Sequence, residues 1–102
     1  MGWQITISPS GQADLADIVR YIAAHNPDAA VRLGYELITR VETLADFPEM
    51  GRQVPEFHEA DLREIICRSY RIIYRLQRSH EKVEIVRFWH GARGFPHIPG
   101  RA

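Results

Sequence analysis

The run Tyr70-Arg71-Ile72-Ile73-Tyr74-Arg75-Leu76 constrains this chain more than any other segment. Its β-branched and aromatic residues alternate, so it reads as a strand with Tyr70, Ile72, Tyr74 and Leu76 on one face and Arg71, Ile73 and Arg75 on the other. An apolar face needs partner strands and a covering layer. The partners lie on either side in sequence, Leu62 to Cys67 and Val83 to His90, which predicts a three-stranded antiparallel meander. In the last of these strands Val86 and Phe88 compete with Val83, Ile85 and Trp89 for the buried set, and Arg87 shares the face of the latter.

The covering layer is expected from two helices. Ser8-Pro9 is a helix start, because the hydroxyl can accept from an orphan amide and the fixed φ of proline suits the first helical position. The helix is predicted from Pro9 to about Ala24, with Leu15, Ile18, Val19 and Ile22 as its apolar stripe and Asp14, Asp17 and Arg20 outside it. Both aspartates suit the positive end of the helix dipole. Asn26-Pro27 repeats the start signal, and Leu37, Ile38, Val41, Leu44 and Ala45 form a second stripe that ends before Phe47-Pro48. So short a turn between them predicts an antiparallel hairpin. Ahead of it, Trp3, Ile5 and Ile7 alternate as a short strand; Pro48 to Asp61 reads as a loop and Gly94 to Ala102 as an irregular tail.

The predicted fold class is therefore α+β, with an N-terminal strand, an antiparallel helical hairpin and a three-stranded antiparallel meander. The helices cover the tyrosine face of a twisted sheet, and the arginine face is left open. At 102 residues the chain forms a single domain, residues 1–102. Thirteen basic residues balance thirteen acidic ones, yet they segregate. Met1 to Asp61 holds four Arg against ten Asp or Glu, minus six; Leu62 to Ala102 holds eight Arg and one Lys against three Glu, plus six. Such asymmetry points to an acidic or polyanionic partner.

Other classes are disfavoured. Cys67 is the only cysteine, which leaves no internal disulfide and no thiolate cluster, and the five histidines have no ligand spacing, so no metal and no cofactor are expected. No apolar run spans a bilayer, and the opening Met-Gly-Trp-Gln-Ile has no signal-peptide pattern, so a cytoplasmic protein without membrane association is expected.

Taken together, Ala13-Asp14-Leu15 with Ile18, Tyr21 and Ile22; Leu44, Pro48 and Gly51; Leu62-Arg63; Tyr70 to Tyr74; and Ile85-Val86-Arg87 through His90-Gly91-Ala92-Arg93 resemble the RelE/ParE superfamily of toxins from type II toxin–antitoxin pairs. The resemblance implies a cognate small antitoxin, ParD-like or similar, with operator DNA contacted only through it, and a role such as plasmid stabilisation. RelE- and YoeB-type members cut mRNA on the ribosome without a metal. For that chemistry Arg71, His90 and Arg93 would be the catalytic set, Arg71 answering to the strand arginine set against the phosphate. Two departures stand against it. No tyrosine follows Tyr74, and the segment Gln53 to Asp61, basic in RelE-type members, carries Glu56, Glu59 and Asp61. The ending His-Gly-Ala-Arg is more similar to the ParE branch, whose members poison DNA gyrase.

A gyrase poison is accordingly the expected function, with a ribosome-dependent mRNA endonuclease as the alternative and a non-toxic antitoxin- or operator-binding module as the second alternative. Arg68, Arg71, Arg75, Arg87, Trp89 and Arg93 are the expected target- or antitoxin-binding residues. Arginine suits that task because its planar fork matches carboxylate and phosphate. The solvated side of an ordinary sheet would place the same residues outward. Glu59 is a candidate general base only on the nuclease reading; a solvated loop position is the simpler expectation.

Overall fold

The computed structural model describes residues 2–100; the end of the expected tail, Arg101 and Ala102, lies outside the described residues. The chain runs β1 (Gln4–Ile7), α1 (Pro9–Ala23), α2 (Pro27–Thr43), β2 (Arg52–Gln53), β3 (Leu62–Cys67), β4 (Tyr70–Gln77) and β5 (Lys82–His90), with 3-10 turns at Arg78–His80 and Gly91–Arg93. Both predicted helix starts operate as expected. Ser8 Oγ accepts from the Gly11 N–H at 3.1 Å and Asn26 Oδ1 from the Ala29 N–H at 3.0 Å. No helix among the described residues is long and apolar enough to cross a membrane.

The strands form one sheet in the order β1-β5-β4-β3-β2. The meander β3-β4-β5 is antiparallel, and β1 pairs parallel to β5, Ile5 opposite Val83. The loop expected from Pro48 to Asp61 is not wholly irregular. Arg52 and Gln53 pair with Glu64 and Arg63 and add a fifth strand at the edge.

The helices pack on the tyrosine face as predicted. Leu33, Leu37, Val41 and Leu44 of the second helical segment meet Ile65, Cys67, Ile72, Tyr74, Leu76, Val83, Ile85 and Phe88 in the main core. Burial of this apolar surface is the chief driving force of the fold. The competition in β5 is resolved by a bulge. Ile73 pairs with Arg87 but Tyr74 with Ile85, so Val86 is an extra residue and the side-chain alternation shifts there. Val83, Ile85 and Phe88 therefore all face the helices, whereas Val86 and Trp89 face the other way. Ser8 Oγ donates to the Val86 carbonyl at 3.2 Å, tying the first helix cap to the bulge.

The opposite face is not open, and that expectation is corrected. Val54, Leu62, Ile73, Val86, Trp89 and Ile98 form a second buried cluster, with Phe57 packed against it. Apolar residues from the 48–61 segment and from the tail cover the arginine side of the sheet. A sheet with Ile73 and Val86 on that side has apolar area to bury there.

Tyr74 fastens the 48–61 segment at its start. Its hydroxyl donates to the Pro48 carbonyl and accepts from the Gly51 N–H, both at 2.9 Å. A Cβ at Gly51 would stand 2.5 Å from that hydroxyl and 2.6 Å from the Glu64 carbonyl oxygen, so only glycine fits. Tyr74→Phe leaves a buried N–H unpaired and is expected to lower unfolding free energy by about 1–3 kcal/mol in urea denaturation. A loss under about 0.5 kcal/mol would show that the hydroxyl is not the fastener.

Candidate functional site

On the covered face the central group is Glu64, whose side chain has no exposure. Its Oε2 accepts from Arg52 Nε at 2.7 Å and its Oε1 from Arg71 Nε at 2.6 Å. Arg71 turns its remaining nitrogens to Glu56, Nη1 to Oε2 at 2.8 Å and Nη2 to Oε1 at 2.7 Å. This is a bidentate fork, the strongest form of carboxylate–guanidinium contact. The Glu56 hydrogen bonds raise the Arg71 pKa above its ordinary value despite burial. In turn the Arg71 hydrogen bonds hold the Glu56 carboxyl below its ordinary value.

The pattern continues along the strand and into the turn after it. Arg75 Nε donates to Glu59 at 3.1 Å, with Glu84 at 3.9 Å from Nη1. Arg78 donates to Asp61 at 3.0 Å and to Glu49 at 3.1 Å. Glu56, Glu59 and Asp61 are thus not solvated loop residues but partners of the arginine row. Arg87 forks onto Asp14 with both contacts at 2.7 Å, and Asp14 also accepts from the Phe88 N–H at 3.0 Å. Asp14 is therefore a buried tertiary partner, where the sequence suggested a residue serving the helix dipole. Arg68, at a positive φ of 54° in the β3–β4 turn, pairs with Glu36 at 2.6 Å. Six of these pairs join an acid from Met1–Asp61 to an arginine from Leu62–Ala102. Much of the charge asymmetry of the sequence is folded against itself.

The remaining expected residues sit at the far end of β5. Trp89 belongs to the second cluster and donates from Nε1 to the Gly94 carbonyl at 3.1 Å. Two guanidinium groups lie over its ring, Arg87 at 4.8 Å and Arg93 at 3.9 Å from the centroid. His90 Nδ1 accepts from the Ala92 N–H at 3.1 Å and so caps the turn that carries Arg93. Its ring meets Tyr70 edge-on at 5.2 Å.

His90 and Arg93 share a groove of about 350 Å³ with Asp17, Ile18, Tyr21 and Tyr70. Arg71 does not reach it. Tyr70 stands opposite His90 and Arg71 opposite Trp89, so strand alternation sends Arg71 to the other side of the sheet. Arg71 and His90 of the nuclease set thus lie on opposite faces, and Arg93, beyond the strand end, both lines the groove and stacks on Trp89. Among the described residues Arg93 has no carboxylate within ion-pair distance, which distinguishes it from Arg68, Arg71, Arg75 and Arg87.

Sequence reasoning missed Tyr21 and Tyr70 as groove residues. It also missed the acid–arginine pairing, although acids at 56, 59 and 61 and arginines at 71, 75 and 78 were both visible. Among the described residues no group of three or more His, Cys, Asp or Glu is placed to hold a metal ion.

The family model described as the ParE toxin of the type II toxin–antitoxin system parDE matches residues 5–95. Toxin RelE2 of Caulobacter vibrioides is 38% identical over 81 residues, spanning 79% of this chain and 86% of that protein. Toxin RelE1 of the same organism is 30% identical over 92 residues, spanning 89% of this chain and 96% of its own length. The fold is similar to that in the chromosomal ParDE system of P. aeruginosa, with a TM-score of 0.72, 15% identity and coverage of 86% of this chain and 95% of that one. It is also similar to a chain of the Mycobacterium tuberculosis RelBE2 toxin–antitoxin complex, at 0.58, 21%, 88% and 99%.

The Glu56 titration gives a pH signature. Its folded-state pKa is depressed below 4.5, so the stability it contributes is complete above that value and is lost as pH falls through the folded pKa. The stability of the natural chain should therefore decline on acidification below about pH 4.5 more steeply than that of Glu56→Gln. Parallel curves in acid urea titrations would contradict the pairing.

Proposed function

Because this chain belongs to the ParE toxin family within the RelE/ParE superfamily of type II toxin–antitoxin systems, we propose that it is the toxin of such a pair, restrained by a cognate antitoxin and inhibiting growth by poisoning DNA gyrase. The solved relatives of its fold come from toxin–antitoxin systems, which supports the antitoxin partner. The observation that carries the choice of target is the state of Arg71. A metal-independent nuclease needs an arginine aimed at the scissile phosphate, with a base and an acid around the same atom. Here Nε, Nη1 and Nη2 of Arg71 all donate to carboxylates, and its side chain is 12% exposed. A phosphodiester approaching it meets Glu56 first. His90 lies on the other side of the strand pair, and Arg93, beyond the strand end, stacks on Trp89. A protein target requires no such convergence on one phosphate.

The mRNA endonuclease is the second reading. It draws on His90, Arg93 and Tyr70 lining one groove, where Tyr70 supplies a phenol that the C-terminal segment lacks. The non-toxic module has no feature in its favour beyond the pairing of the arginines.

Purified toxin should abolish gyrase supercoiling and accumulate cleaved DNA, while mRNA on translating ribosomes stays intact. Unaffected supercoiling would overturn the proposal; cuts in A-site codons would transfer it to the second reading. Unimpeded growth on expression without antitoxin would remove both. Arg93→Ala should raise the concentration needed to inhibit gyrase about tenfold, as loss of an exposed interface arginine does, without moving the melting temperature.

A further inference from the structure

The arginines of β4 are covered by a segment of the same chain, and the manner of covering carries information. Glu56 offers its two oxygens to the two Nη atoms of Arg71, as a phosphate would. Glu59 sits on Arg75 and Asp61 on Arg78. Three successive acids thus lie on three successive arginines, in the manner of anions along a backbone. We infer that the Arg71–Arg75–Arg78 row is a masked site for a phosphodiester chain, and that Glu56, Glu59 and Asp61 are the specificity determinants that keep nucleic acid out. This extends the proposed reading from the choice of target to the exclusion of a wrong one.

Two observations show that the segment holds its place by means other than its charges. Val54 is fully buried, and its N–H donates to the Leu62 carbonyl at 3.1 Å. Phe57 packs against the second cluster and meets Phe95 edge-on at 5.3 Å. Apolar anchors and backbone bonds thus position the strap, while its carboxylates face the arginines. Neutralising those carboxylates changes the field without removing the anchors.

Among the described residues, the ion pairs of the row join Arg52, Arg71, Arg75 and Arg78 to Glu49, Glu56, Glu59, Asp61, Glu64 and Glu84, four cations to six anions. A polyanion is repelled. Converting the three strap acids to amides leaves four cations to three anions in these pairs and replaces the charged fork on the Arg71 Nη atoms with at most one neutral acceptor. Non-specific nucleic-acid binding is largely this electrostatic term, and its salt dependence counts the phosphates engaged.

The test uses E56Q/E59Q/D61N and a fluorescein-labelled single-stranded RNA, followed by anisotropy across a salt series, with circular dichroism confirming the fold. The triple variant should bind at least about tenfold more tightly than the natural chain at low salt. Its log–log salt slope should be roughly −1.4 to −2.1, two or three phosphates at about −0.7 each. Adding Arg75→Gln should take back about 0.7 of that slope. If the triple variant does not fold, E59Q/D61N, which leaves the Arg71–Glu56–Glu64 contacts intact, should still gain affinity. Equal binding by natural and neutralised chains, a gain that salt does not weaken, or a gain that Arg75→Gln leaves unchanged would overturn the inference. A gain in RNA binding together with unaffected supercoiling would leave the inference standing and remove only the gyrase reading.

Discussion

The Glu64 carboxylate is wholly removed from solvent, and a charge in that position must be compensated on every side it presents. Arg52 from the edge strand and Arg71 from the neighbouring strand do this, each through short hydrogen bonds. The guanidinium of Arg71 then has two nitrogens left, and Glu56 takes both. Glu56 lies in the segment that brings Val54 and Phe57 over Ile73, Val86 and Trp89. The second core and the charge network are therefore two aspects of one arrangement. Removing one partner of such a buried set typically costs about 3–5 kcal/mol, because the other charge is left stranded.

That arrangement separates the two faces of the molecule. Helices cover the tyrosine side; an acidic strap and the tail cover the arginine side. At the end of the sheet, the Val86 bulge, the His90 cap and the turn after it set Arg93 over Trp89 beside a groove lined by Ile18 and Tyr70. Arg93 depends on the second core for its position, since the indole beneath it is packed against Ile73 and Val86 and bonded to Gly94.

Local signals were legible in the sequence wherever the physics is local. Ser8-Pro9 and Asn26-Pro27 cap their helices as their side chains dictate, and the alternation from Tyr70 to Leu76 assigns the tyrosine face correctly. The bulge was not legible, because Val86 and Phe88 are both apolar and only the pairing register shows that they face opposite ways. The fate of the arginines was hidden for a different reason. Charge runs in sequence show supply and demand, and a sum of minus six against plus six is equally consistent with an external partner and with internal pairing. Contacts such as Glu56–Arg71 and Asp14–Arg87 are separated by many residues and exist only once the fold brings them together. Ile98, buried in the second cluster, carried no signal at all within an irregular tail.

The charge network turns on the energetic coupling of Glu56 to Arg71. A double-mutant cycle with Glu56→Gln, Arg71→Gln and the pair, measured by urea unfolding at neutral pH and moderate salt, isolates that coupling. Directly contacting charged groups in a half-buried fork should give about 1–3 kcal/mol, with the double variant less destabilised than the two single losses summed. Additive losses, with coupling within about 0.3 kcal/mol of zero, would mean that the Glu56 fork does not hold Arg71 and that the covering of this face rests on its apolar anchors alone.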